Sequence, residues 1–337
     1  MATTDTDKPF FSVVIPLHNK APFIARALES VFAQSFQDFE LLVVDDASTD
    51  GGIEEVRRLG YDRVRLLHRD RPGPGGYAAR NLGIESSRGD WIAFLDADDQ
   101  WYPNHLESTV DTISRFPDAS FVGAGWETRS MLGPVDERYY DRYHGRGCHE
   151  ISLKTFLECS RLGQRPVWSS VACVRRASLP STKLFPADLP ARRGGDLHAW
   201  LLLMCHLKKM VFSDHLGAIY HGDDSNMVTR NAPSSPVLYS RSIYNQLASA
   251  LTFEERHLLG LYFNHQLGRI WARSTMNKDP YFFLPTRLRW SADPIGCAKL
   301  SAISLIPRPL LRRASRLRTK WSMYTTSRRQ NSGELGE

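Results

Sequence analysis

GDWIAFLDADD, residues 89–99, joins an apolar run to a carboxylate cluster. Residues 91–95 (WIAFL) are uniformly apolar, the signature of a short strand buried on both faces. Asp96, Asp98 and Asp99 follow at once, so the carboxylates fall at the strand's carboxyl end. Carboxylates two positions apart in such a turn can approach one hard cation, and Mg2+ and Mn2+ favour oxygen ligands of this kind. Taken alone, the pattern fits a solvated acidic turn better than a metal site, because so short a motif has many false positives.

Upstream, the same arrangement repeats. Residues 10–15 (FFSVVI) form a first apolar run, closed by Pro16 and followed by His18 and Asn19. Residues 22–33 carry Ile24, Ala27, Leu28 and Val31 at helical spacing. Residues 39–44 (FELLVV) are a second strand ending on Asp45 and Asp46, and Ser48 or Asp50 is placed to cap a helix through residues 53–59. Residues 64–68 read as a third strand and 75–87 as a helix. Strands alternating with helices mean βαβ units and a mostly parallel sheet, in which ligands bind beyond the carboxyl ends of the strands. His18, Asp45, Asp46 and the 96–99 cluster all belong to that edge. The Gly73-x-Gly75 pair lacks the full spacing of a dinucleotide fingerprint and follows the third strand. Residues 239–277 read as helical, with Leu247, Leu251, Leu258, Leu261 and Ile270 as markers.

Four segments now stand in order: FSVVIPLHN at residues 11–19, VVDDASTD at 43–50, GGYAARNLGI at 75–84 and GDWIAFLDADD at 89–99. Together they resemble the family-2 glycosyltransferases, inverting enzymes of the GT-A fold. The resemblance implies an α/β, Rossmann-like fold: a mostly parallel sheet flanked by helices, here with a C-terminal helical extension. It implies that Pro16, His18, Asp45 and Asp46 hold the nucleotide base, with His18 standing where Tyr or Phe is often found. Arg80 would lie near the base or diphosphate, Asp96 would meet ribose and metal, and Asp98 the metal, Mn2+ or Mg2+. Gly194-Gly195-Asp196-Leu197-His198-Ala199-Trp200 looks like the family's acceptor segment G-E-D-x-x-x-W. Gly195 replaces the Glu and Asp196 keeps the position of the general base, though a helix N-cap role would suit Asp196 as well. His221 resembles a residue that can face the metal or diphosphate. The implied organisation is a catalytic domain over residues 1–225, with a nucleotide-sugar-binding half (10–100) and an acceptor half (101–225), and a helical region over 226–337.

Composition narrows the alternatives. Of 337 residues, 42% are hydrophobic and 24% charged, which excludes a disordered chain. Five cysteines without a CxxC argue against a disulfide framework or a structural zinc site. The first nine residues have no apolar core, and no apolar run is long enough to span a bilayer, so a cytoplasmic protein is expected. Residues 286–330 hold eleven Lys or Arg against Asp293 alone, which exceeds the net charge of +6. Within residues 301–320, Arg308, Arg312, Arg313, Arg316, Arg318 and Lys320 are interleaved with Leu305, Ile306, Leu310, Leu311 and Leu317, the pattern of an interfacial helix on an anionic membrane. The expected partners are thus a nucleotide-sugar donor, a saccharide or lipid-linked acceptor and an anionic membrane surface, with no nucleic acid. A metal-dependent nucleotidyltransferase is the first alternative, but it calls for a Gly-rich basic loop after strand one, where Pro16-Leu17-His18-Asn19-Lys20 stands. A non-catalytic basic binding module is the second, and no nucleic-acid motif supports it.

Overall fold

The computed structural model describes residues 8–129, 139–222, 235–277 and 282–311. In chain order come β1 (Phe11–Leu17), α1 (Ala21–Phe32), β2 (Phe39–Asp45), α2 (Gly52–Leu59), β3 (Val64–His68), α3 (Tyr77–Ser86) and β4 (Trp91–Phe94). Next are β5 (Gln100–Trp101), α4 (His105–Arg115), β6 (Phe121–Arg129), α5 (Tyr139–Tyr143), β7 (His149–Ser152), α6 (Leu153–Arg161), β8 (Cys173–Arg175), α7 (Gly195–Leu207) and β9 (Lys209–His221). The helices α8 (Arg241–Ala248), α9 (Phe253–Asn277) and α10 (Pro294–Ser304) follow.

The strands make one sheet, ordered β3-β2-β1-β4-β8-β6-β9-β5, with β7 also paired to β9. The N-terminal half is parallel, as its alternation with helices requires: β1 pairs β2 and β4, and β2 pairs β3. Beyond β4 the sheet is mixed. β8 enters antiparallel between β4 and β6, β9 runs parallel to β6, and β5 and β7 pair with β9 antiparallel. Register sets the functional edge: Leu17 stands opposite Asp45, so β1 and β2 end together.

Two apolar layers cover the sheet. One packs α1 and α4 on the face carrying Val13, Ile15, Leu41 and Val43. The other is continuous from Val14 and Phe94 through Trp200 of α7 to Tyr262 and Phe263 of α9, so the C-terminal helices share a core with the sheet. The helical stretch expected over residues 239–277 is broken between α8 and α9, where Thr252 and Glu255 cap the start of α9 through mutual backbone contacts.

Two expected helix starts differ. α2 is capped by Gly51 in the left-handed region, with no side-chain cap from Ser48 or Asp50. Asp50 instead accepts the Gly52 N–H at 3.0 Å and the Ala21 N–H at 2.8 Å, tying α2 to the start of α1. α3 begins at Tyr77 rather than residue 75, because Gly75 and Gly76 have φ of +62° and +71°. That kink folds the glycine pair beneath the β1 end.

Gly83 sits in α3 against Val14 of β1, and a Cβ there would run into both Val14 methyls. Gly83→Ala gains about 1 kcal/mol of helix propensity but overpacks the interface by roughly 1–3 kcal/mol. A net loss of stability is the expected outcome in chemical denaturation; a rise in midpoint would show that the α3–β1 contact yields freely.

Candidate active site

The carboxyl ends of β1, β2 and β4 carry the motif residues expected there. Asp96, Asp98 and Asp99 each offer a carboxylate oxygen within 4.8 Å of the others. This is not the solvated acidic turn that the isolated motif also fits: Asp99 is 1% exposed, and Asp98 only 17% in its side chain. Arg80 of α3 pairs with Asp96, Lys20 holds Asp98 at 2.8 Å, and Arg26 donates to the Asp98 carbonyl. Burial raises the Asp98 pKa, opposed by Lys20 and reinforced by Asp96. Burial and the charges of Asp98 and Asp96 push Asp99 well above the usual carboxylate range. Like charges gathered in a low-dielectric site favour a cation among them. The residues fit an oxygen-seeking divalent ion: three carboxylates converge, and Asp99 Oδ1 is buried without a hydrogen-bond partner.

Ser170, in a turn far along the chain, braces the cluster. Its hydroxyl donates to Asp99 Oδ2 at 2.6 Å and accepts the Asp96 N–H at 3.1 Å. The Ser170 carbonyl in turn accepts the Trp101 indole N–H at 2.6 Å. The end of β9 reaches the same point, where the His221 main-chain N–H bonds Asp99.

Arg80 is buried. Burial works against its charge, but Asp96 outweighs it and holds the guanidinium above its usual range. The guanidinium also donates to the Gly75 carbonyl at 3.1 Å and lies over Phe185, 5.4 Å from the ring centre. Asn81 fixes Phe185 through reciprocal bonds of 2.8 and 2.9 Å. Pro16 closes this corner, 3.6 Å from where a Cβ on Gly76 would stand.

On the β2 side, Asp45 is 2% and Asp46 1% exposed. Asp45 accepts the Ser48 N–H at 3.1 Å and lies 3.6 Å from His68. Asp46 accepts from Arg69 and from the Gly73 N–H at 3.0 Å, so both its oxygens serve the loop. His18 Nδ1 donates to the Asp46 carbonyl at 2.7 Å.

Asp196 lies in the first turn of α7, but Gly194 is the N-cap and no side chain caps the helix, so the N-cap reading of Asp196 does not hold. Its charge acts on Tyr77 and Arg80, which brings the acceptor segment against the donor edge. Tyr77 is the link. Its hydroxyl donates to the Arg192 carbonyl at 3.1 Å and accepts the Gly195 N–H at 2.8 Å. A Cβ on Gly195 would collide with the Tyr77 ring. The glycine that stands where the motif usually has Glu thus leaves room for Tyr77.

Lys20, Asn81, Asp99, Ser170 and Tyr77 were not assigned from sequence. Lys20 and Tyr77 lie inside or beside quoted motifs; Ser170 carries no local signal at all.

Sheet topology and end-of-strand cluster define a GT-A type transferase fold. Structural similarity agrees: TarS 1-349 from S. aureus, solved in complex with UDP-GlcNAc, superposes with a TM-score of 0.68 over 91% of each chain at 16% identity. The mannosyltransferase PcManGT from Pyrobaculum calidifontis, in complex with GDP-Man and Mn2+, gives 0.50 over 94% of this chain and 89% of that one, at 17% identity. Residues 12–159 match the model of glycosyl transferase family 2. Glycosyltransferase AglE of Haloferax volcanii is 44% identical over 195 residues, 56% of this chain and 60% of that protein. Succinoglycan biosynthesis protein ExoW of Rhizobium meliloti is 40% identical over 111 residues, 31% of this chain and 34% of that protein. The chain therefore spans less than two thirds of the length of these relatives. Among the described residues no helix is long and apolar enough to cross a membrane.

Proposed function

We propose that the protein is an inverting glycosyltransferase that moves a sugar from a nucleotide-sugar donor, first of all a UDP-sugar, to a hydroxyl of a saccharide or lipid-linked saccharide. The work would lie in cell-surface polysaccharide or glycolipid synthesis, as the name of ExoW suggests for that relative. The observation that carries this reading is the meeting of the Arg80–Asp96 pair with both the 96–99 carboxylates and the charge of Asp196.

In this reading Asp45, with Pro16 and His18 beside it, takes the base and ribose, while Asp46 holds the Arg69–Gly73 loop around them. Arg80 and Lys20 keep fixed positive charge next to the diphosphate. Asp96 and Asp98 would hold a divalent metal, Mn2+ or Mg2+, with Asp99 behind them and His221 at the strand end; such an ion supplies a positive charge that stabilises the departing diphosphate. Asp196 takes the proton of the acceptor hydroxyl as its oxygen bonds the anomeric carbon and the bond to the nucleoside diphosphate breaks. One base, set opposite the leaving group, gives inversion without a covalent intermediate. Thermal-shift screening against UDP-, GDP- and dTDP-sugars tests the donor side: a shift for one nucleotide class is expected, and none for any class would refute a nucleotide-sugar site.

We take residues 1–225 as the catalytic unit, divided at about residue 100 into donor and acceptor halves, and residues 226–337 as a region that docks a cytoplasmic enzyme on the inner membrane face. Support comes from the described part of the basic segment, where Ile303, Leu305, Ile306 and Leu310 are all exposed. Arg312, Arg313, Arg316, Leu317, Arg318 and Lys320 lie outside the described residues. Basic residues near an anionic leaflet contribute about 1 kcal/mol each, enough together for reversible docking. Full-length protein is expected to pellet with anionic vesicles and to release at high salt. The cut belongs after Leu311, because Leu288, Ala292 and Cys297 are buried and must stay. Equal pelleting of the shortened chain would rule out the tail as the anchor.

A further inference from the structure

α7 starts without a cap of its own. Gly194 holds the N-cap position in the left-handed region, with φ of +90°, and no side chain caps the helix. The amides of a first helical turn find no partner inside the helix, and Gly195, which opens this one, is buried. The acceptor for its amide comes from another helix: the Tyr77 hydroxyl of α3, at 2.8 Å. The same hydroxyl donates to the Arg192 carbonyl at 3.1 Å. One phenol thus ties down the chain on both sides of the N-cap.

That phenol has little freedom. Its ring lies parallel to that of Phe185, with the centres 6.4 Å apart, and Asn81 fixes Phe185 from both sides of its peptide. A Cβ on Gly195 would run into the Tyr77 ring, and one on Gly75 would stand 2.6 Å from both Tyr77 Cζ and the Arg192 carbonyl oxygen. Two glycine backbones and one aromatic ring therefore box the side chain in, and the place of its hydroxyl sets where α7 begins. Asp196 follows Gly195 directly. Tyr77 and Arg80 are one turn apart and share a face of α3. That single turn holds the Arg80–Asp96 pair at one end and the start of α7 at the other. Burial pushes the Tyr77 hydroxyl above its usual range, with the charge of Asp196 adding to it, so the group stays neutral and acts by its position.

We propose that Tyr77 is a positioning residue: it caps α7 from the donor side and sets Asp196 against the place where Arg80 and Asp96 hold the donor. The effect on catalysis rests on the reading of Asp196 as the base; the cap itself does not.

Tyr77→Phe keeps the ring and removes the hydroxyl, leaving a buried amide without its partner. Hydrogen exchange over residues 194–200 is expected to run about tenfold faster or more than in the wild type, while α4 exchanges alike in both. Turnover is the second readout, as metal-dependent nucleoside diphosphate release from the responding donor among UDP-, GDP- and dTDP-sugars, with water as acceptor. There kcat should fall about tenfold or more, KM for the donor should stay within about twofold, and the pH profile should keep its shape. Tyr244→Phe deletes a hydroxyl that donates to the Arg256 carbonyl at 2.9 Å in the C-terminal helices, and should behave as wild type in both assays. Matching unfolding midpoints show that Tyr77→Phe is folded. Should it not fold, the wild type decides: its Gly195 amide must exchange as slowly as the amides inside α7, and fast exchange there overturns the cap. Unchanged exchange or unchanged kcat in the folded variant overturns the proposal. So does a raised KM at unchanged kcat, which would put Tyr77 on the donor, or loss of the alkaline limb of the pH profile, which would make it a proton-transfer group. If exchange responds as expected while the wild type consumes no nucleotide sugar, the cap stands and the transferase reading fails.

Discussion

Asp98→Asn is expected to lower metal-dependent turnover by about 10³-fold or more while the protein stays folded. Neutralising a leaving diphosphate is worth several kcal/mol, and each 1.36 kcal/mol is tenfold in rate. Stability should barely move, because two effects oppose each other. The variant weakens the contact with Lys20 at 2.8 Å, but it also relieves repulsion with Asp96 and Asp99. A second readout separates the metal from the fold: the rise in melting temperature on adding Mn2+ should shrink in the variant. Near-normal metal-dependent turnover would remove Asp98 from the ligand set.

Asp196→Asn is expected to reduce kcat by about 10²–10⁴-fold, the usual worth of general-base catalysis, and to leave donor binding intact. The side chain stands in the first turn of α7 and caps nothing, so its replacement has no helix-capping cost. Tyr77 keeps the helix start in position through Gly195 and Arg192 in either variant. Nucleotide-sugar affinity by calorimetry and kcat by product formation must therefore part company. An unchanged kcat would move the base elsewhere; Asp188, exposed in the loop before α7, is the next described candidate, and Asp223 lies outside the described residues.

The donor edge was legible in the sequence because its information is local. β1, β2 and β4 each contain an apolar run of four or more residues, and their polar residues follow directly at the carboxyl end. Arg80 was legible as a motif residue, yet its burial and its partner Asp96 were not, since those depend on α3 folding back across β1. The second half of the sheet was not legible. β5, β7 and β8 are two to four residues long and owe their pairing to β9, β4 and β6, not to their own periodicity. Ser170 is 71 residues from Asp99, and nothing near it in the chain announces the contact. The helix starts failed for a different reason. Ser48, Asp50 and Asp196 are residues that favour caps, but glycines with positive φ took the cap positions, and the polar side chains were left to other partners. Tyr77 and Gly195 are legible only as a pair, because the collision that explains the glycine exists only once α3 and α7 are together.

The most direct measurement is nucleoside diphosphate release from UDP-, GDP- and dTDP-sugars, followed with Mn2+ and again with EDTA. Release from one nucleotide class, dependent on the metal and lost in Asp98→Asn, is the expected result. No release from any donor, or release of inorganic diphosphate from a nucleoside triphosphate with a sugar phosphate, would contradict it; the latter is the signature of a nucleotidyltransferase.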